Sequence, residues 1–269
     1  MSVEETETAT STRSGDSNGW DQRVDVLGIH VSVTDMDDTV ETFAGWIAAG
    51  ERHLVCVSDM NALLHARADA ELTEVYNTSG LTLADGMPLV WAGKRAGFDR
   101  MARVCGPDLI ERVMAEAAER GWSQYFYGGA DGVAEQLRDN FVAKHPSLFV
   151  AGTYSPPYRA LSAEEDAEIV GKINAAGPDI VWVGLGAPKQ ERWMAEHRDR
   201  LDAAILIGVG AAFDFHTGRL DRAPVWMQKA GLEWSYRLYK EPRRLWKRYL
   251  LGIPRFAAGI LLRPPKPVS

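Results

Sequence analysis

Between Val24 and Val209 short apolar runs alternate with longer stretches of helical periodicity, and this alternation constrains the fold more than any other feature. Runs such as Ile180 to Val183 and Ala203 to Val209 carry no charge, as strands covered on both faces do. Strands of that kind joined through helices predict an α/β fold, Rossmann-like, with a mostly parallel sheet. The expected strands are Val24–Val33, His53–Val57, Leu81–Ala84, Gln124–Tyr127, Leu148–Ala151, Ile180–Val183 and Ala203–Val209. The expected helices are 36–49, 58–68, 70–78, 89–96, 107–120, 133–144 and 163–175.

Open sheets of this kind bind ligands at the carboxyl ends of their strands. The stretch from Ile180 to Arg222 has that layout twice. One apolar run meets Gly184-Leu-Gly-Ala-Pro188 and a polar helix start, and the next meets Gly210-Ala-Ala-Phe-Asp-Phe-His-Thr-Gly218.

Residues 1–20 are polar, rich in Ser, Thr, Glu and Asp, and are expected to stay disordered. Residues 21–218 read as the α/β core and 219–269 as a basic amphipathic appendage. The net charge is -7, yet the appendage has only Asp221, Glu233 and Glu241 as acids among many Arg and Lys. A basic tail on an acidic body points to phosphates or an anionic membrane surface. The two cysteines, Cys56 and Cys105, have no disulfide or zinc spacing and read as core filler in a reducing cytoplasm. No uncharged apolar run approaches the roughly 20 residues of a membrane span.

Several polar clusters follow strands, and each has two readings. Asp35-Met-Asp37 matches a metal-binding DxD but sits where an aspartate caps a helix. Ser58, Asp59 and Asn61 either cap a helix or face the ligand crevice. Asp85, before Gly86 and Pro88, either caps the next helix or serves as a general base. Gly128-Gly-Ala-Asp-Gly132 has the glycines of a phosphate loop, but the spacing and the missing downstream acid argue against a dinucleotide site. Asp214 is either a buried aspartate satisfied by backbone N–H groups or a ligand contact, and Gln190 either a surface helix residue or a ligand contact.

Six motifs occur in order: Asp85-Gly-Met, Arg103-Val-x-Gly-x-Asp108, Gly184-Leu-Gly-Ala-Pro-Lys-Gln-Glu191, Gly208-Val-Gly-Ala-Ala-Phe-Asp214, Arg222-Ala-Pro and Leu232-Glu-Trp-x-Tyr-Arg237. Together they make the chain resemble the WecG/TagA/CpsF glycosyltransferases, family 26, from Val24 to Phe256. The resemblance implies a GT-E-like fold with a basic helical appendage. It implies an inverting transfer of an N-acetylhexosamine-type sugar, N-acetylmannosamine or a relative, from a UDP-sugar to a polyprenyl-diphosphate-linked sugar in cell-surface polysaccharide synthesis. No cofactor or metal is implied, the UDP-sugar being a substrate.

By the same resemblance Asp85 is the general base. Arg103 and Gln190 contact donor or acceptor, and Asp214 belongs to the nucleotide pocket. Arg237, Arg244 and either Lys247 or Arg248 grip the diphosphate. Where the family has Thr-x-Asn, this chain has Val57-Ser58-Asp59, with Ser58 and Asn61 as alternative suppliers of the hydroxyl and amide. The implied location is cytoplasmic, peripheral at the inner face of the plasma membrane, with the appendage's aromatic and apolar residues in the lipid interface. An anionic membrane surface is then a partner, nucleic acid is not, and a homo-oligomer is compatible. The competing reading is a membrane-associated nucleotide-binding regulator without catalysis, in which the appendage is an ordinary packed helix face.

Overall fold

A computed structural model describes residues 22–268; the expected tail of residues 1–20 lies outside them. In chain order the elements begin with β1 (Arg23–Val26), β2 (Ile29–Ser32), α1 (Met36–Ala49), β3 (His53–Ser58), α2 (Met60–Arg67), α3 (Ala70–Thr78) and β4 (Leu81–Ala84). There follow α4 (Met87–Arg95), α5 (Gly106–Arg120), β5 (Gln124–Gly128), α6 (Val133–Lys144), β6 (Val150–Tyr154), α7 (Ala163–Ala176) and β7 (Ile180–Gly184). The chain closes with α8 (Lys189–His197), β8 (Ile205–Gly208), α9 (Ala212–His216), α10 (Val225–Lys229), α11 (Glu233–Lys240), α12 (Pro242–Leu262) and β9 (Lys266–Pro267).

The expected parallel sheet is present, six-stranded in the order β4-β3-β8-β7-β5-β6. Alternate strand residues face opposite layers. Val55, Phe126, Trp182 and Ile207 pack with apolar residues of α1, α5 and α6. Leu54, Tyr127, Val181 and Leu206 face the other way, toward α2, α3, α7 and α8. Covering both faces explains why these strands read as unbroken apolar runs.

Two differences from the sequence reading, and a proline inside a helix, have physical causes. The span Val24–Val33 is a hairpin, β1 antiparallel to β2, outside the central sheet. Its two-residue turn places Leu27 at φ 61° and Gly28 at φ 99°, and a leucine there hides the turn from sequence inspection. The sixth strand begins at Val150, because Leu148 still bonds back to the His145 carbonyl in a turn. Pro254 does not interrupt α12, which runs through it for 21 residues. The proline and Leu250, whose carbonyl loses its N–H partner, both lie on the exposed side, where water can serve instead.

The appendage is bound to the core at both ends. Arg222 pairs with Asp108, while β9 pairs antiparallel with β1 and Arg263 Nη2 donates to Asp25 Oδ2 at 2.6 Å. Between them Leu245, Tyr249, Gly252, Phe256 and Gly259 form a buried stripe at three- and four-residue spacing, so α12 lies on the body. Among the described residues no helix is long and apolar enough to cross a membrane.

Candidate active site

Neighbouring parallel strands in register deliver their following residues side by side. Ser58 at the end of β3 is the register partner of Ala84 at the end of β4, and Asp85 N–H donates to the Ser58 carbonyl at 2.9 Å. Asp59 and Asp85 therefore emerge together at the carboxyl edge of the sheet. A Cβ on Gly86 would lie 3.7 Å from the Asp59 Cβ.

Asp85 does not cap the helix that follows it. The N-cap of α4 is Gly86, without a side-chain bond, and Asp85 Oδ1 instead accepts from Gly106 N–H at 3.3 Å, at the start of α5. Burial pushes its carboxyl above the usual range. The Arg103 charge and the Gly106 N–H pull it down, while Asp59 and Glu233 add to the rise. The result is a partly buried carboxylate of raised proton affinity, the property a general base needs.

Arg103 is held against it by two bonds. Its Nε donates to the Asp85 carbonyl at 2.6 Å and its Nη2 to Glu233 Oε2 at 2.7 Å. The next residue is pinned too, with Val104 N–H on the Ala84 carbonyl at 3.0 Å. Next to this pair, Cys105 Sγ donates to Asp108 Oδ2 at 2.8 Å, and Arg222 holds the other oxygen of Asp108. Both cysteines are buried, and burial raises both thiols, which suits packing rather than nucleophilic chemistry.

Asp59 takes the capping role foreseen for it and also pairs with α12. Its Oδ1 caps α2 by accepting from Asn61 and Ala62 N–H, each at 3.0 Å, while its Oδ2 accepts from Arg248 Nη2 at 2.6 Å. Burial raises this carboxyl, but the Arg248 charge and the hydrogen bonds outweigh it and hold Asp59 below the usual carboxylate range. Oriented by its neighbours, the Asn61 amide donates to the Arg248 carbonyl at 2.9 Å and accepts from Arg248 Nε at 3.2 Å. Of the two alternatives Lys247 and Arg248, Arg248 turns to the site. Lys247 lies over the exposed Trp246 ring, 5.6 Å from its centroid. Ser58 is buried beneath, beside the Tyr76 hydroxyl.

Gln190 is neither at the surface nor open to a ligand. At 2% exposure its Oε1 accepts from Gly186 N–H (3.2 Å) and Gly210 N–H (2.9 Å), and its Nε2 donates to Glu191. It ties together the loops after β7 and β8. Gly128 and Gly129 do similar close packing: a Cβ on Gly128 would stand 2.7 Å from the Gly184 carbonyl group.

Asp214 belongs to a second cluster at the start of the appendage. Burial raises its carboxyl, against the pull of Arg219 and Arg244. Arg237 lies over the Phe215 ring at 5.7 Å, and Arg244 Nε bonds Glu241 at 2.6 Å. Phe215, Arg219, Tyr236, Arg237 and Lys240 line a cavity of about 220 Å³ here. Asp35, as a cap, accepts from Asp38 N–H at 2.9 Å. Among the described residues no group of three His, Cys, Asp or Glu side chains could hold a metal ion.

Sequence reasoning assigned no role to Glu233, Asp108 or Arg222, although all three stand inside the quoted motifs. Their signal was a charged residue inside each motif; what was missing was the partner, distant in sequence.

This arrangement, a carboxylate of raised proton affinity flanked by arginines and overlain by a basic helical segment, suits displacement of an anionic leaving group. Comparison with known proteins agrees. The model of the Glycosyl transferase WecG/TagA/CpsF family matches residues 24–267. An N-acetylglucosaminyldiphosphoundecaprenol N-acetyl-beta-D-mannosaminyltransferase of Bacillus subtilis (strain 168) is 32% identical over 194 residues, 72% of this chain and 73% of that protein. A protein of the same name from Bacillus spizizenii (strain ATCC 23059 / NRRL B-14472 / W23) is 32% identical over 187 residues, 70% of each. With the match running almost from end to end of the described chain, this protein belongs to the WecG/TagA/CpsF family of glycosyltransferases.

Proposed function

We propose that the chain transfers an N-acetylhexosamine-type sugar, N-acetylmannosamine or a relative, from a UDP-sugar to a polyprenyl-diphosphate-linked sugar in cell-surface polysaccharide synthesis. The names of the two relatives support both the transferred sugar and the lipid-diphosphate acceptor. The observation that carries the chemistry is Asp85, a partly buried carboxylate of raised proton affinity beside Arg103.

In this reading Asp85 takes the proton of the acceptor hydroxyl as that oxygen bonds to the anomeric carbon. The bond from that carbon to the UDP oxygen breaks on the opposite face, giving inversion, and UDP leaves with the electron pair. Its growing negative charge needs fixed positive partners. Arg248 at Asp59 and the Arg237–Arg244 cluster beside Asp214 are the candidates, without a metal in the scheme.

The acceptor's lipid anchor calls for a membrane-facing surface. Trp246, Leu250, Leu251, Leu261 and Leu262 are exposed along α12, among Arg243, Lys247 and Arg255. That mixture suits peripheral binding to an anionic leaflet at the cytoplasmic face.

The test is UDP release from a panel of UDP-sugars, with short-chain polyprenyl-diphosphate-linked N-acetylglucosamine as acceptor, in EDTA. Acceptor-dependent release from one donor, surviving EDTA and lost in Asp85→Asn, is the expected result. UDP binding without turnover of any donor would overturn transferase chemistry with this acceptor.

A further inference from the structure

Three ion pairs join the C-terminal appendage to the core around Asp85: Arg222–Asp108, Arg248–Asp59 and Arg103–Glu233. In the first two the appendage supplies the cation; in the third the polarity is reversed. The appendage has only three acids, and two pair within it: Asp221 with Lys240 at 3.0 Å and Glu241 with Arg244 at 2.6 Å. Glu233 alone of the three pairs with the core. It is also the most enclosed, its side chain 14% exposed against 69% and 29% for the other two acids.

We propose that Glu233 is a positioning residue for sugar transfer, holding the Arg103 guanidinium off the Asp85 carboxylate. The geometry accounts for the hold. With Nε on the Asp85 carbonyl and Nη2 on Glu233, the plane of the guanidinium is fixed and Nη1 is left for a ligand. Without Glu233, the nearest acid for a freed Arg103 is the base itself, and an ion pair there would blunt its affinity for the acceptor proton.

The charge of Glu233 acts in the same direction. Asp85 is faced by Arg103 and the Cys105 thiol from the loop before α5, by Gly106 N–H from α5, by Asp59 from the start of α2, by Glu233 from α11, and by Arg248 and Tyr249 from α12. Among the carboxylates in that ring, Asp59 is neutralised by Arg248 and Glu233 by Arg103. Deleting the charge of Glu233 leaves Arg103 unopposed next to the base.

This inference rests on Asp85 being the base, and the experiment separates the two. The pH dependence of kcat and kcat/KM is measured for the full chain and for Glu233→Gln, Glu233→Asp and Asp85→Asn. Glu233→Gln reads the charge: the acid limb of kcat/KM moves to lower pH, and on that limb the rate, relative to its own plateau, rises about threefold. Glu233→Asp reads the reach: the limb stays and plateau kcat falls about tenfold. A Glu233→Gln limb that coincides with wild type, or a Glu233→Asp plateau equal to wild type, overturns the proposal. If Glu233→Gln does not fold, the Glu233→Asp plateau decides. Turnover retained in Asp85→Asn would instead remove the base reading, whatever the Glu233 variants do.

Discussion

Gly252 of α12 lies against Asn61 of α2 so closely that a Cβ on the glycine would come within 2.5 Å of the amide. The glycine is one turn beyond Arg248, and this contact lets Arg248 reach both Asn61 and Asp59. Gly252→Ala must push the helices apart at that point, although alanine is otherwise the better helix former. We expect a loss of about 1–3 kcal/mol in denaturant melts, together with a higher KM for the diphosphate substrates. An alanine variant as stable and active as wild type would mean that α12 is not seated as described.

Arg248→Ala leaves the Asp59 carboxylate without its counter-charge. With the two side chains 36% and 20% exposed, the expected cost is about 1–2 kcal/mol, between an exposed and a buried pair. The pH dependence has a definite sign. Asp59 is held below its unfolded value, so the pair's stabilisation is present above the ordinary carboxylate range and is lost as pH falls through the folded value. Melts of wild type and variant should therefore draw together as pH falls below the ordinary carboxylate range.

Asp85→Asn should reduce turnover by about 10²- to 10⁴-fold and at the same time stabilise the protein. The carboxyl of Asp85 is raised above its unfolded value, so its ionised form costs stability above the folded pKa. That cost vanishes below the unfolded value. Thermal melts should show the variant ahead at pH 7 to 8, by roughly 2–4 °C per kcal/mol for a chain of this size, and no gain near pH 4.

Gln190→Ala removes the acceptor shared by Gly186 and Gly210 N–H. Each N–H left unpaired costs about 1–3 kcal/mol, less where water replaces the amide. Faster amide exchange confined to residues 184–188 and 208–211 is the expected signature. Exchange unchanged in both loops would show that the glutamine does not tie them.

The sheet was legible because its strands are apolar on both faces, a pattern that survives without knowledge of partners. The helix starts were legible where an aspartate caps them, as Asp35 and Asp59 do. The hairpin was not, because a leucine occupies a left-handed turn position. Of the candidate site residues, Asp59, Asp85, Arg103 and Arg248 do come together, since strand order and register bring the first two to one edge. The inward turn of Gln190 could not be read, because a glutamine at a helix start looks polar and exposed until the two glycine loops beside it are in place. Glu233 stayed hidden for the same reason: its partner lies 130 residues away.

A ribosome releases Asp25 and Asp59 long before the arginines that neutralise them. Arg248 follows Asp59 by 189 residues, and Arg263 follows Asp25 by 238. All six strands of the parallel sheet, and Asp85 at its edge, are made before the helices of the appendage. In the proposed reaction the leaving group then has no grip, so activity waits until the appendage has been made. Chains cut off before α12 are expected to keep the sheet yet be inert, sparing the cell a half-built catalyst that wastes activated sugar.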